Sequence, residues 1–302
     1  MPLPNYTKLM PSILKLLSDR NERTTPEVYE HIYQAFNLTE EEKKLRQPSG
    51  QDILITNRTR WALKYLKEAK AIESPSRGIY HITDRGEDLL KKHPDEITQK
   101  ILSEYNEYRE FRKIIDHVEK SKDLKNEGGQ EPIDVAITPD EMIENGYMSI
   151  REEVGNELLN RILQNPPAFF EKMVLDLLTA MDYGQGEVTG KSGDGGIDGY
   201  ISQDKLGLDR IYFQAKRYKN SVPANELREF VGSLESKGVN KGVFITTGKL
   251  PSDVSKIVGK STKNIVFIDG VGLVNHLMDF DVGVRTQRRY EIKEIDSDYF
   301  AL

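Results

Sequence analysis

The sequence contains no cysteine, which excludes disulfide cross-links and every metal site built on thiolates. Its five histidines, His31, His81, His93, His117 and His276, show neither HxH nor HExxH spacing, so a zinc centre is not expected. No stretch approaches the roughly 20 consecutive apolar residues of a membrane span. The opening MPLPNYTKLM lacks the basic-then-apolar layout of a signal peptide, and a cytoplasmic protein is expected. There is no internal repeat. Nor is there an excess of positive charge: the formal net charge is -6, so any nucleic-acid contact has to come from local patches.

The charge is unevenly placed. Residues 1–93 carry 16 Lys/Arg against 13 Asp/Glu, residues 94–150 carry 7 against 14, and residues 151–302 carry 20 against 22. At 302 residues the chain is long enough for two domains, each with its own core.

The first 93 residues read as helices followed by one small hairpin. Leu9, Ile13, Leu16 and Leu17 share a helical face, and Thr25-Pro26-Glu27 has the cap and first-turn proline of a helix ending near Phe36. A third helix is expected after Thr39, where Glu40, Glu41 and Glu42 suit the positive end of a helix dipole. A fourth starts at Asn57 with Ala62, Leu66 and Ala69 inward, and Arg60, Lys64 and Lys67 form a second, basic stripe on it. Residues 71–83 then read as strand, turn, strand, with Arg77 at the tip. This is the order of a winged helix, in which the basic helix enters the major groove and the wing meets phosphate. A solvated lysine face, or a winged fold used for protein contacts, gives the same pattern.

Residues 94–150 read as a connector: a polar helix to about residue 118 with Tyr105, Tyr108, Phe111 and Ile115 at helical spacing, then a charged, apolar-poor linker over 120–132. From residue 151 the pattern becomes α/β. Helices are expected over 151–164 and 168–181, then a hairpin of strands 197–202 and 210–216, a helix over 224–237, a strand over 241–247, a helix from Ser252, a strand over 264–268 and a helix from Val271. The two later strands, GVFITT and NIVFID, are apolar runs of the kind buried in a mixed sheet. The expected class is α/β in three α/β/α layers.

The chemistry concentrates in Gly193-Asp-Gly-Gly-Ile-Asp-Gly199 and the strand that follows it. A hairpin symmetric about residue 206 sets Asp198 opposite Gln214, with Lys216 two residues further along the same face. Phosphodiester hydrolysis needs an activated water, a cation for the charge growing on the phosphoryl oxygens, and groups that align them. Mg²⁺ takes hard oxygen ligands and keeps several waters, so one or two carboxylates suffice. Asp198 is the leading ligand, with the Gln214 amide oxygen and the Ala215 carbonyl beside it, and Lys216 placed to orient water or counter charge. Gln214 leaves such a site one negative charge short. Glu171, set among Phe169, Phe170 and Val174 on the preceding helix, either supplies that charge or stands at the partly exposed edge of its helix face. Asp194 reads as a turn residue. Gly190-Lys191-Ser192 and Gly259-Lys260-Ser261 lack the upstream glycine of a phosphate-binding loop. Arg217, Lys219, Arg285, Arg288 and Arg289 read equally as further phosphate contacts or as solvated surface.

Together, Gly193 to Gly199, Gln214-Ala-Lys216, Phe170-Glu171 and the later Phe244-Ile-Thr-Thr247 resemble the Mrr family of modification-dependent (type IV) restriction endonucleases, in the PD-(D/E)xK nuclease superfamily. The resemblance implies a winged-helix DNA-binding domain over 1–93, a connector over 94–150, and a restriction-endonuclease-like domain with a mixed sheet over 151–302. It maps the catalytic set onto Glu171, Asp198, Gln214 and Lys216, and Gln214 in place of the superfamily's acid is a departure that Mrr-like members share. It also implies Mg²⁺-dependent cleavage of foreign double-stranded DNA carrying methylated bases. Cutting both strands needs two centres, so a homodimer or larger assembly is expected. A winged-helix regulator without catalysis, and a nuclease for branched or damaged DNA, are the rival readings.

Overall fold

The computed structural model describes residues 3–48, 50, 52–112, 136–189, 196–258, 263–295 and 299. The chain divides into two compact units, Met1–Ser149 and Ile150–Leu302.

In the first unit, helix α1 (Tyr6–Leu17) is capped by Asn5, whose side chain accepts from Lys8 N. It buries Leu9, Met10, Ile13, Leu14 and Leu17 completely. Strand β1 (Arg23–Thr24) leads into α2 (Thr25–Ala35), which is closed at its start by Glu27: the carboxylate accepts from both the N–H and the hydroxyl of Thr24 at 2.7 Å. The helix expected after Thr39 is only a single 3₁₀ turn, Glu42–Lys44. Thr39 and Glu42 cap one another there, but no apolar stripe follows, so nothing propagates the turn.

The basic helix α3 (Leu54–Glu68) starts three residues before Asn57. Asn57 is fully buried and serves as a tertiary anchor, accepting from the Thr138 hydroxyl at 2.8 Å and donating to Asp52 and Asp140. Next to it, Arg58 pairs with Glu141 at 2.7 Å, both side chains largely buried. Strands β2 (Ile72–Glu73) and β3 (Ile79–Ile82) follow, and β3 pairs antiparallel with both β1 and β2, making a three-stranded sheet in the order β1-β3-β2. Helix α4 (Asp84–Lys92) and the short α5 (Gln99–Leu102) complete the unit.

Parts of the stretch 94–150, expected as a connector, pack into the first unit. Ile97, Leu102 and Tyr108 are buried in the same core as α1 and α3, and Thr138 and Glu141 bond to α3, so these stretches are part of the first unit. The linker expected over 120–132 lies outside the described residues.

The division between the units falls within α6 (Pro139–Gln164). In the second unit, α7 (Pro167–Ala180) precedes β4 (Gln185–Val188), a strand that sequence periodicity did not indicate. Strands β5 (Gly199–Ser202) and β6 (Arg210–Lys216) form the hairpin, then α8 (Ala224–Ser236), β7 (Lys241–Thr246), α9 (Val254–Val258), β8 (Asn264–Ile268) and α10 (Gly270–Asp279). The sheet runs β4-β5-β6-β7-β8, antiparallel through β6 and parallel from β6 to β8. It is mixed, as expected. Alternate residues feed two cores. Ile211, Phe213, Val243 and Ile245 join Leu158, Phe170, Leu177 and Leu273 on one side. Tyr212 and Phe244 join Leu227, Phe230 and Leu234 on the other. Burial of each such side chain contributes about 1.5–3 kcal/mol. The strand NIVFID is not buried throughout: β8 is an edge strand and Val266 is 55% exposed. Among the described residues no helix is long and apolar enough to cross a membrane.

Candidate active site

The hairpin register puts Gly199 opposite Phe213, the pairing that symmetry about residue 206 requires. Asp198 lies one residue before β5, where the ladder to β6 ends. Its N–H donates to Phe213 O at 3.0 Å. Its carboxylate takes over the next position of the ladder: Oδ2 accepts from Ala215 N at 2.7 Å. Ala215 thus anchors Asp198 through its N–H.

The Asp198 carboxyl is raised from 3.8 to about 6, chiefly by burial; the Ala215 N–H opposes the shift, the neighbouring Glu171 carboxylate adds to it, and the Lys216 ammonium opposes it. Glu171 therefore stands close enough for its charge to act on Asp198. It is half-buried, between the fully buried Phe170 and an exposed Lys172. Phe169, expected to share its apolar setting, is 42% exposed.

Gln214 and Lys216, on the same side of β6, line a cleft of about 370 Å³ with Gly196 and with Glu229, Gly232, Ser233 and Ser236 of α8. Gln214 is 3% exposed, and its Oε1 has no hydrogen-bond partner among the described residues. Gly196 has φ +82°, and a Cβ there would come within 2.6 Å of Gln214 Nε2; only glycine lets the loop pass so close. The Gly193, Asp194 and Gly195 of the motif lie outside the described residues, as do both Gly-Lys-Ser triplets.

Lys216 Nζ sits 3.5 Å from Glu226 Oε2. Glu226 also accepts from the Tyr218 hydroxyl at 2.8 Å, and Thr247 Oγ1 holds the backbone N–H and C=O of Tyr218 at 2.9 Å each. Burial, then the bond to Glu226, pushes the Tyr218 hydroxyl up to about 12. This Glu226–Tyr218–Thr247 support for Lys216 went unread in the sequence. Its one signal was the acid in the first turn of the helix over 224–237.

Among the described residues no three His, Asp or Glu side chains gather as a metal centre. What the described residues offer is two neighbouring carboxylates and a buried amide oxygen that none of them bonds. This donor set of hard oxygens fits a divalent cation that keeps much of its own water.

Arg217, one of the candidate phosphate contacts, is half-buried. Its Nη1 donates to the backbone carbonyls of Ile162 at 3.4 Å, Leu163 at 3.2 Å and Asn165, closing the C-terminus of α6 where carbonyls lack helical partners. Lys219 is exposed, and Arg285, Arg288 and Arg289 lie on an exposed stretch without regular structure.

In the first unit, Arg60, Lys64 and Lys67 are all exposed on α3. Arg60 pairs with Asp52, and the Lys64 ammonium lies over the rings of Trp61 (4.6 Å) and Phe111 (5.8 Å). Arg77 is exposed in the turn between β2 and β3.

Comparison with known proteins gives two family matches, a restriction endonuclease catalytic domain over residues 162–277 and an Mrr N-terminal domain over residues 6–92. The type IV methyl-directed restriction enzyme EcoKMrr of Escherichia coli strain K12 is 33% identical over 311 aligned residues, covering 99% of this chain and all of that protein. No solved structure matches the chain.

Proposed function

The chain belongs to the Mrr family of restriction endonucleases, and from that premise we propose that it is a Mg²⁺-dependent type IV enzyme cutting double-stranded DNA that bears methylated bases. The observation that carries the catalytic assignment is the half-buried Asp198 carboxylate beside a second carboxylate and an ammonium. Such a cluster raises the free energy of the empty fold, and a cation together with a phosphate relieves it.

Asp198 and Glu171 are the anionic ligands in this reading, with the Gln214 amide oxygen and the Ala215 carbonyl as neutral ones. The bound cation supplies Lewis-acid polarisation of the scissile phosphate and a more acidic water. Lys216, steered by Glu226, orients the attacking water and counters the charge that grows on the phosphoryl oxygens. Gly196, Gly232 and Ser233 keep the wall of the cleft low, so a sugar-phosphate backbone can approach.

The first unit supports the winged-helix reading by its order, α1-β1-α2-α3-β2-β3 with a β1-β3-β2 sheet. In that reading Arg60, Lys64 and Lys67 meet the duplex, Arg77 touches backbone from the wing, and Lys219, Arg285, Arg288 and Arg289 add phosphate contacts in the second unit. Two cutting centres imply a homodimer or larger assembly.

The test is incubation of methylated and unmethylated plasmid with the protein, with and without Mg²⁺. The expected result is cleavage only of methylated plasmid and only with Mg²⁺. Equal cutting of unmethylated plasmid refutes the substrate, and cutting in EDTA refutes the cofactor.

A further inference from the structure

The β5–β6 hairpin ends, at its closed turn, in a loop that exposes two leucines. Leu206 is 82% exposed and Leu208 84%, with Gly207 at φ +70° between them. The loop is tightly held. Asp204 accepts from Leu206 N at 2.8 Å and from Asp209 N at 2.6 Å. Gln203 N donates to Asp209 O at 2.8 Å across the neck. Arg210 Nε donates to Gly207 O at 2.9 Å while its guanidinium lies 4.3 Å from the centre of the Tyr200 ring. Two apolar side chains are thus held out in water by a network of bonds that fixes the loop beneath them, a cost that a binding partner would recover.

Beside this loop opens a cavity of about 340 Å³ between α7, α10 and the sheet, walled by Leu178, Met181, Ile211, Val243 and Val266. Its rim carries Gln203 and Lys241, and these two residues join it to the loop: Lys241 Nζ bonds Gln203 Oε1 at 2.7 Å and Asp209 Oδ2 at 2.6 Å. Protruding apolar residues and an apolar hollow therefore adjoin on one surface.

We propose that this surface is a self-association interface, in which Leu206 and Leu208 of one copy enter the cavity of a second copy of this chain and receive that copy's leucines in return. A knob next to a matching hole is the self-complementary patch that a two-fold pair requires, since the same contact is then made twice. DNA is the less suitable occupant. The loop carries two acids, Asp204 and Asp209, against one base, Lys205, so it has no positive excess to draw phosphate, and it lies at the end of the hairpin opposite Asp198, Gln214 and Lys216. For the same reason the contact leaves both catalytic ends free, so it tethers two nuclease units without covering either centre. The proposal builds on the expectation of self-association in the reading above but not on its chemistry, and mass and cutting are read separately.

The absence of native cysteine makes trapping clean. Full-length chains carrying Leu208→Cys and Val266→Cys, differently tagged, are mixed and mildly oxidised. A disulfide-linked heterodimer is expected, and none when Leu208→Cys is mixed with Glu235→Cys, an exposed position on α8. The Leu206→Asp/Leu208→Asp variant, altered only at exposed positions, is expected to keep the thermal stability and the nicking rate per chain of wild type. In sedimentation it should lose the species at twice the 34.5 kDa chain mass. Trapping no better than the control, or an unchanged mass distribution in the variant, overturns the proposal. Loss of DNA affinity at unchanged mass overturns it too, and assigns the loop to DNA.

Discussion

Replacing Asp198 by Asn is expected to stabilise the metal-free protein while abolishing its cutting. The Asp198 carboxyl, ordinarily at 3.8, is raised to about 6 in the fold, chiefly by burial and then by Glu171. The unfolded chain releases this proton more readily than the folded one. The resulting penalty is therefore absent below about pH 4, grows between 4 and 6, and is complete above 6. A difference of about two pH units corresponds to roughly 3 kcal/mol, and solvent screening of a half-buried group reduces it to about 1–2 kcal/mol. The amide keeps an acceptor for the Ala215 N–H and removes the charge that Glu171 opposes. For a domain the size of the second unit this gain corresponds to a Tm higher by about 2–8 °C at pH 8, shrinking toward zero by pH 4. Calorimetry is the suitable assay, because the single tryptophan, Trp61, reports on the first unit. Mg²⁺ should raise the wild-type Tm and leave the variant's nearly unmoved. An Asp198→Asn protein that is less stable than wild type at pH 8, or whose gain is independent of pH, refutes the electrostatic reasoning.

Arg217→Ala is expected to cost about 1–3 kcal/mol of stability, since the α6 carbonyls lose their donor, with DNA affinity unchanged in a filter or fluorescence binding assay; weakened binding at unchanged Tm would place Arg217 on the DNA face. Lys64→Ala combined with Lys67→Ala should reduce the slope of log K against log salt by about two, one for each phosphate no longer neutralised. An unchanged slope moves the DNA-binding face off α3. Gln214→Glu puts a carboxylate at a position only 3% exposed next to the Asp198 cluster. It should lower metal-free stability by about 1–3 kcal/mol and tighten Mg²⁺ binding measured by calorimetric titration; a variant as stable as wild type without metal would mean that the amide oxygen does not face the cluster.

Much of the nuclease unit was legible because its signals are local. Apolar runs in β7 and a symmetric polar loop at 203–209 set the strands and register that bring Asp198 and Gln214 together. Strand β4 was missed: QGEV has no apolar alternation, and it is held by backbone pairing to β5. Exposure along β8 follows from its place at the sheet edge, which sequence period does not encode. The partners of Arg217 are hidden for a similar reason. A basic residue just past β6 reads as a phosphate contact or a solvated side chain, and the carbonyls that it bonds lie some fifty positions earlier in the chain. Asn57 is a second case, a good capping residue whose real partners lie some eighty positions away in Thr138 and Asp140. The support of Lys216 by Glu226, Tyr218 and Thr247 likewise joins three elements that only the fold brings together.

The central claim is that Asp198 and Lys216 do the cutting and do not hold the DNA. Its most direct test measures linearisation of methylated supercoiled plasmid in Mg²⁺ by wild type, Asp198→Ala and Lys216→Ala, with binding to the same DNA followed in parallel. Loss of one positioned charge-stabilising group lowers such rates by about 10²–10³, so both variants should lose cutting to at least that extent while their DNA affinity stays within a few fold of wild type. Wild-type cutting by either variant contradicts the assigned site.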